Sequence, residues 1–328
     1  MTLLATRRAI LGTALAAPAL RVASAQQTLE WVAGSLGGGW YTMAVGLSSL
    51  IREENSEIQI RVVPGGGLAN PTRINNNQSQ IGWGIDAFSS SAVLGNEPYT
   101  AAHPRIRCLG TGYSPTEHHF LRHTGAGPDD MRAILTQRGL KIAAPQRSST
   151  DEMTLQRILR FLGTSPEKIR QEGGTYLTGA YADIGAAYND GQVNYIYAAL
   201  ARPAAMFTEI AQGRRGGRMV GFPQDVRDHL QQTYAYAQGI LPGTTYPPLM
   251  QGDVPVTMMD SVILCHDGLQ DETIYRITRT LVRNKGARLV AIHASMGAWD
   301  PVASVRYRGV PFHAGAARAF REAGANPA

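Results

Sequence analysis

Residues 29–63 read LEWVAGSLGGGWYTMAVGLSSLIREENSEIQIRVV and carry the pattern that defines the architecture. The apolar residues 29–34 predict a strand, and a glycine-rich turn then leads into residues 41–53, which predict a helix. Residues 58–63 are rich in β-branched side chains and predict the next strand. A strand, a glycine turn, a helix and a second strand in succession are typical of α/β layers.

The same alternation continues along the chain. Strands are predicted at 81–85, 140–144 and 193–200. A helix is predicted after each of them, at 87–94, at 151–162 and toward residue 210. This order predicts an α/β fold built around mostly parallel sheets.

Three segments interrupt the alternation. Residues 105–123 form an extended stretch without a helical pattern, 234–248 are rich in turn residues, and 254–266 return as a strand. A chain that leaves one α/β domain, builds a second and returns to the first has this pattern. We therefore expect residues 26–117 with 242–328 to form lobe 1 and 118–241 to form lobe 2. Crossing segments near 117–122 and 237–242 would flank a ligand cleft between the lobes.

The first residues have the layout of an export signal. The pair Arg7-Arg8 precedes an apolar run at 9–20, and Ala23-Ser24-Ala25 supplies small residues for cleavage. The apolar run is too short for a membrane-spanning helix. The sequence predicts a signal peptide over residues 1–25, similar to a twin-arginine signal, and a mature periplasmic protein that begins near Gln26.

Composition excludes several classes of protein. The chain has 328 residues, of which 44% are hydrophobic and 17% charged, so it is too apolar to be disordered. Its formal charge is +6, half of it from three arginines before residue 26, and no basic stripe predicts nucleic-acid binding. The two cysteines, Cys108 and Cys265, show no metal-ligand spacing, so we expect neither a metal nor a cofactor.

Three loops between a strand and a helix are candidate anion sites. Backbone N–H groups at such helix starts attract negative charge, and glycine lets a ligand approach the backbone. The first two loops contribute Ser35, Gly38, Gly39, Gly67 and Asn70. The third contributes Arg147, Ser148, Ser149 and Thr150. Each loop taken alone is also consistent with a tight turn or a helix cap.

Arg202 follows the apolar run 193–200 and is a candidate for a bidentate contact with a carboxylate. A surface arginine in a loop is the simpler interpretation. The chain has no G-x-S-x-G elbow, which favours a binding protein over an enzyme. The alternative from a different class is an exported hydrolase or transferase with Ser148 or Ser149 as nucleophile.

Several motifs resemble those of one family. The sequence GGGWY at 37–41 resembles the G-G-T-Y-Y signature of the TAXI-type solute receptors of TRAP (tripartite ATP-independent periplasmic) transporters. Similar motifs are GGLAN at 66–70, DGQVN at 190–194, GILPGTTY at 239–246 and PFHAGAARAFREAG at 311–324. The resemblance covers about residues 31–324, nearly the whole mature chain.

The resemblance implies a type II-like periplasmic binding protein, whose two lobes close over a small organic anion. The ligand would be a mono- or dicarboxylate or an acidic amino acid, delivered to an integral-membrane TRAP permease without ATP. An ABC or tripartite tricarboxylate system is the alternative partner. The implied binding residues are Gly38, Gly39, Tyr41, Gly67 and Asn70 on one side and Ser148, Ser149 and Thr150 on the other.

Departures from the family pattern affect three positions. Asp86 stands in an Ile85-Asp86-Ala87 step where the family often has Gln-x-Asp, and the loop at 146–150 is one residue longer. Arg202 replaces a residue that is usually apolar in the family. With Arg147, it suggests a ligand of higher negative charge, such as a dicarboxylate.

Overall fold

The computed structural model describes residues 27–147 and 149–327. The predicted signal segment, residues 1–25, lies outside the described residues. The chain forms two α/β lobes, each built on its own sheet.

The first sheet has five strands. In spatial order they are β2 (Ile58–Val63), β1 (Gln27–Val32), β3 (Ile81–Ile85), β12 (Ser261–His266) and β4 (Ile106–Thr111). Its helices are α1 (Gly39–Glu54), α2 (Asn70–Asn75), α3 (Asp86–Leu94), α10 (Asp271–Arg283), α11 (Ala287–Ile292), α12 (Pro301–Ser304) and α13 (Ala314–Glu322). A 3-10 turn, Ala294–Ala298, precedes α12.

The second sheet has seven strands. In order they are β10 (Ala237–Leu241), β11 (Val254–Met259), β5 (Thr116–Arg122), β8 (Tyr195–Leu200), β6 (Lys141–Pro145) and β7 (Thr175–Gly179), with β9 (Arg218–Met219) paired to β5. Its helices are α4 (Met131–Thr136), α5 (Thr150–Phe161), α6 (Pro166–Gln171), α7 (Tyr181–Asn189), α8 (Ala205–Gln212) and α9 (Gln224–Tyr234). A 3-10 turn lies at Pro247–Leu249. None of the helices in the described part of the chain has both the length and the apolar character needed to cross a bilayer.

Both sheets are mixed, whereas the sequence predicted mostly parallel ones. In the first sheet β1 pairs parallel with β2 and β3, but β12 is antiparallel to β3 and β4. In the second, β5 is antiparallel to β8, β9 and β11. Each lobe crossing leads the chain into one of these antiparallel strands, β5 in the second sheet and β12 in the first.

The lobes are joined at two adjacent crossings. One runs from β4 to β5 through residues 112–115, and the other from β11 to β12 through Asp260. The Gly112 N–H donates to the Ser261 carbonyl at 3.0 Å, and the Ser114 N–H donates to Ser261 Oγ at 2.8 Å. These bonds tie the two crossings to each other.

The second crossing lies later in the chain than the sequence analysis placed it. Residues 237–242 do not cross between lobes, because β10 and β11 form an antiparallel hairpin within the second sheet. The turn residues between them close this hairpin. Residues 242–259 therefore belong with the second sheet rather than with lobe 1.

Each lobe buries its own apolar core. Trp31, Trp83 and Ile263 lie in the first core, and Phe120 and Ile196 in the second, all less than 2% exposed. Cys108 and Cys265 are buried free thiols on neighbouring strands of the first sheet.

Helix α5 shows how local sequence fixes an element near the cleft. Ser149 is its N-cap, and its Oγ accepts the Glu152 N–H at 3.2 Å. Leu155 and Ile158, three positions apart, are fully buried against the second core. The cap fixes where the helix begins, and the apolar side fixes its rotation, so its first turn faces the other lobe.

Candidate functional site

A small pocket lies between the lobes, where loops from both sheets meet. Its cavity volume is about 40 Å³. A single buried water needs about 10–15 Å³ measured in this way, so the pocket has room for roughly three or four water-sized groups. The lining residues are Gly34, Ser35, Gly38, Gly39, Trp40, Gly66, Gly67, Thr116, Ser149, Thr150, Asp151, Tyr181, Ala199, Leu200 and Ala201.

The turn between β1 and α1 forms one wall of the pocket. The Gly38 N–H donates to the Ser35 carbonyl at 3.1 Å, and α1 then begins at Gly39. The first N–H groups of a helix have no acceptor within it and carry partial positive charge. This wall therefore presents hydrogen-bond donors to the pocket.

Trp83 and Asn70 hold this wall from behind. Trp83 Nε1 donates to the Trp40 carbonyl at 3.0 Å, and the two indole rings stack with centroids 5.7 Å apart. Asn70 is fully buried, and its Oδ1 accepts the Gly66 N–H at 3.0 Å. Its Nδ2 donates to the carbonyls of Ala33 and Trp83 at 2.7 and 2.8 Å. Asn70 thus fixes the glycine loop to the ends of β1 and β3.

Glycines allow the two lobes to approach each other at the pocket. A Cβ on Gly38 would lie 3.0 Å from the Tyr181 ring, and one on Gly67 would lie 2.9 Å from Thr150 Cγ2. Gln146 Nε2 also donates to the Gly65 carbonyl across the cleft at 3.2 Å. The absence of side chains at Gly38 and Gly67 therefore sets how closely the cleft shuts.

Asp151 is a buried carboxylate in the pocket wall. Its Oδ2 accepts the Tyr181 hydroxyl at 2.6 Å and the Ala199 N–H at 2.7 Å, while Oδ1 accepts the Thr150 hydroxyl at 3.3 Å. Burial raises the pKa of Asp151 to about 6, although these hydrogen bonds pull it down. The group is thus mostly ionised at neutral pH and places a negative charge in the wall.

Thr116 begins β5 at the first crossing and also lines the pocket. It is 4% exposed, and its Oγ1 has no hydrogen-bond partner among the described residues. A buried hydroxyl without a partner is costly, and most are bonded in folded proteins. Thr116 therefore offers an unused donor and acceptor to a molecule in the pocket.

Six of the residues expected to bind ligand come together in this pocket. They are Ser35, Gly38, Gly39, Gly67, Ser149 and Thr150. Ser148 lies outside the described residues. Ser149 Oγ already accepts a backbone N–H as the α5 cap, which gives it a structural role.

The structure puts the two expected arginines elsewhere. Arg202 Nε lies 2.7 Å from Glu117 Oε1, so its guanidinium pairs with that buried carboxylate instead of lining the pocket. Arg147 is exposed and lines a different depression that also contains Glu167. An arginine after a strand faces the cleft only if no nearer acid captures it, and Glu117 comes from the neighbouring strand.

Three further expected residues are outside the pocket lining. Tyr41 packs against the first core, and Asn70 is occupied with backbone groups as described above. Asp86, at the start of α3, lines a separate groove. Its N–H donates to the Asp260 carbonyl at 3.0 Å, which ties α3 to the second crossing.

The groove beside Asp86 is wider than the pocket, with a volume of about 720 Å³. It includes Phe88 from the first lobe and Arg157 and Tyr234 from the second. The Arg157 guanidinium lies between the Phe88 and Tyr234 rings, with its Cζ 4.6 and 3.9 Å from the two ring centroids. It also donates to the Tyr236 hydroxyl at 3.0 Å. Arg157 therefore links the two lobes through aromatic contacts.

Several pocket residues were not predicted from the sequence. Thr116 stands in an extended stretch with no local motif, so only the course of the crossing chain reveals it. Asp151 directly follows the third candidate loop, but its contact with Tyr181 depends on a distant helix. Within the described ranges, no group of three or more His, Cys, Asp or Glu is placed to hold a metal ion.

Comparison with known proteins gives a family. Residues 32–324 match the NMT1-like family, which is most of the chain. The chain belongs to this family. No protein of curated function matches the sequence significantly.

Solved structures of periplasmic binding proteins share the fold. MatC from Rhodopseudomonas palustris, solved with bound malate, is 12% identical with a TM-score of 0.53, over 90% of this chain and 96% of that one. The binding-protein component of an ABC phosphonate transporter from Pseudomonas aeruginosa is 9% identical with a TM-score of 0.52, over 83% and 80%. PhnD1 from Prochlorococcus marinus, in complex with methylphosphonate, is 10% identical with a TM-score of 0.51, over 83% and 91%. The expected type II-like periplasmic binding protein fold is confirmed.

Proposed function

We propose that this member of the NMT1-like family is a periplasmic solute-binding receptor that captures a small organic anion, most simply a carboxylate, between its lobes. The observation that carries the proposal is the interlobe pocket, where the starts of α1 and α5 meet the Thr116 hydroxyl, which has no partner among the described residues. A ligand there would contact both lobes at once. Contacts with both lobes favour the closed conformation over the open one.

The chemistry of the pocket supports an anionic group in the ligand. The first turns of α1 and α5 supply backbone N–H donors, and helix N-termini favour negative charge. The hydroxyls of Ser35 and Thr116 add donors that bind a carboxylate without a full positive charge. The pocket volume favours an acid of a few carbons.

A dicarboxylate has less support than the sequence suggested. That expectation depended on Arg147 and Arg202, and neither lines the pocket. A second carboxylate would also lie in the same small cavity as Asp151, with like charges close together. A small monocarboxylate or amino acid is the better match to the lining.

Delivery to a TRAP permease rests on the TAXI-like motifs at 37–41, 66–70 and 311–324. The fold itself is shared with binding proteins of other transport systems, such as the ABC phosphonate receptor. The genes adjacent to the one for this chain separate these partners. A TRAP permease gene beside it supports the TAXI assignment, whereas an ATPase gene or a tripartite tricarboxylate permease gene contradicts it.

A thermal-shift screen tests the proposed function. The mature chain from Gln26 onward is mixed with monocarboxylates, dicarboxylates, amino acids, sugars and phosphate. A ligand at 100 times its Kd stabilises the folded state by about 2.7 kcal/mol, which is readily seen. We expect hits among small carboxylates, with the ligand recovered unchanged. Chemical turnover of the ligand would instead support the serine hydrolase alternative, and hits restricted to sugars would contradict an anion receptor.

A further inference from the structure

The charge in the pocket is opposite to that expected for a simple anion site. Among the lining residues that the structure describes, Asp151 is the only Asp, Glu, Lys, Arg or His, and its charge is negative. It is 5% exposed, so water screens it poorly. A bare carboxylate bound beside it would suffer repulsion between two buried negative charges.

Hydrogen bonds hold Asp151 in place as an acceptor. Both short contacts, from the Tyr181 hydroxyl and the Ala199 N–H, go to Oδ2. Oδ1 receives the longer contact, 3.3 Å from the Thr150 hydroxyl, and the Asp151 N–H also bonds its own carboxylate. The 3.3 Å contact at Oδ1 is the weakest of the three that other residues make with Asp151, so it is the one that a donor on a ligand would replace.

Other groups in the pocket lining have the reverse need. The Thr116 hydroxyl is 4% exposed and has no partner within the described part of the chain. This hydroxyl and the N–H groups at the starts of α1 and α5 are donors that suit a carboxylate. The pocket thus places hydrogen-bond donors and an ionised acceptor close together, within about 40 Å³. A ligand that matches both must carry a carboxylate and a hydrogen-bond donor only a bond or two apart.

We propose that the pocket selects α-hydroxy or α-amino acids of about three carbons, and that Asp151 is the specificity residue that accepts a hydrogen bond from the α-substituent. This inference rests on the proposed function, because it assumes that the ligand's carboxylate binds the Thr116 hydroxyl and the N–H groups at the helix starts. It adds a rule for which carboxylates bind. Acids without an α-donor meet the Asp151 charge uncompensated.

Four ligands of nearly equal size test the rule. Lactate and alanine carry a hydroxyl or an ammonium group on the α-carbon, whereas propionate carries only hydrogens and pyruvate a carbonyl acceptor. Titration calorimetry on the mature chain at pH 7.5, where Asp151 is ionised, gives the four Kd values. We expect the better of lactate and alanine to bind at least tenfold more tightly than propionate and pyruvate.

The variant Asp151→Asn assigns this selectivity to Asp151. An asparagine oxygen can still accept from Tyr181 and Ala199, but the amide then presents a donor where Oδ1 was. We expect the preference for an α-donor to disappear, so that the Kd of pyruvate approaches that of lactate. Asp190→Asn is the matched control, since it removes one acid from the exposed end of α7. The control should keep the wild-type order of affinities.

The outcomes separate this inference from the proposed function. Equal affinity for all four acids, or a preference that survives in Asp151→Asn, overturns the role of Asp151 while leaving a carboxylate receptor. Failure of every carboxylate in the screen to bind overturns both. If Asp151→Asn does not fold, as judged by circular dichroism, the wild-type comparison of the four acids still decides whether an α-donor is required.

Discussion

Asn70 provides a test of how the pocket is built. The sequence suggested a ligand contact, but the structure gives this fully buried side chain one bond from the Gly66 N–H and two to the carbonyls of Ala33 and Trp83. Asn70→Ala removes these three bonds and a longer one, 3.5 Å, from Nδ2 to the Val32 carbonyl. Since a buried polar group left without its partner costs about 1–3 kcal/mol, we expect a loss of about 3 kcal/mol or more in the free energy of unfolding.

Thermal unfolding without ligand measures this loss. For domains of this size each kcal/mol shifts the Tm by about 2–4 °C, so Asn70→Ala should unfold about 6–12 °C below the wild type. Asn70→Asp should do no better, because a carboxylate cannot donate to the two carbonyls. Asn76→Ala, on the exposed end of α2, is the control and should change stability by less than about 0.5 kcal/mol. An Asn70→Ala protein as stable as this control, yet unable to bind ligand, would refute the structural role.

Four further substitutions test residues in the pocket and in the Glu117–Arg202 ion pair. Gly38→Ala should weaken ligand binding about tenfold, or about 1.4 kcal/mol, because its Cβ would lie 3.0 Å from the Tyr181 ring of the other lobe. The Tm of the ligand-free protein should change little. Thr116→Val removes a hydroxyl that has no partner among the described residues, so calorimetry should show the Kd of a carboxylate raised about five- to tenfold. Thermal unfolding should show no loss of stability in the unbound protein. Arg202→Ala should change the Kd by no more than about twofold, because Arg202 pairs with Glu117 outside the pocket. A tenfold weaker affinity, or about 1.4 kcal/mol, would mean that Arg202 contacts the ligand. Burial raises the pKa of Glu117 to about 7 despite the nearby Arg202, so the folded state holds this proton more tightly than the unfolded state does. Chemical unfolding should therefore show the wild type gaining stability relative to Glu117→Gln as the pH falls from 7.5 toward 4.5, and a difference that stays constant with pH would contradict this.

Elements defined by local pattern were predictable from the sequence. Helix α5 follows from its Ser149 cap and the spacing of Leu155 and Ile158, and α1 follows from the glycine turn before it. The three loop–helix starts were recognised for the same reason. Their donors depend on backbone geometry that neighbouring residues determine.

Features that depend on distant pairing were not predictable. The turn-rich stretch after β10 fits either a crossing or a hairpin, and only the pairing of β10 with β11 distinguishes them. Arg202 ends a buried strand as expected, yet its partner Glu117 comes from a strand that the sequence could not position beside it. Asp151 gains its role from contact with Tyr181 in another helix. Charge in the site was therefore the property that the sequence predicted least well.

The most direct test of the account is a crystal structure of the mature chain with the tightest small acid found in the screen. We expect one ligand per chain in the interlobe pocket, with its carboxylate within hydrogen-bond distance of Thr116 Oγ1 and of the N–H groups that begin α1 and α5. Ligand density in the groove beside Arg157, with an empty interlobe pocket, would contradict it.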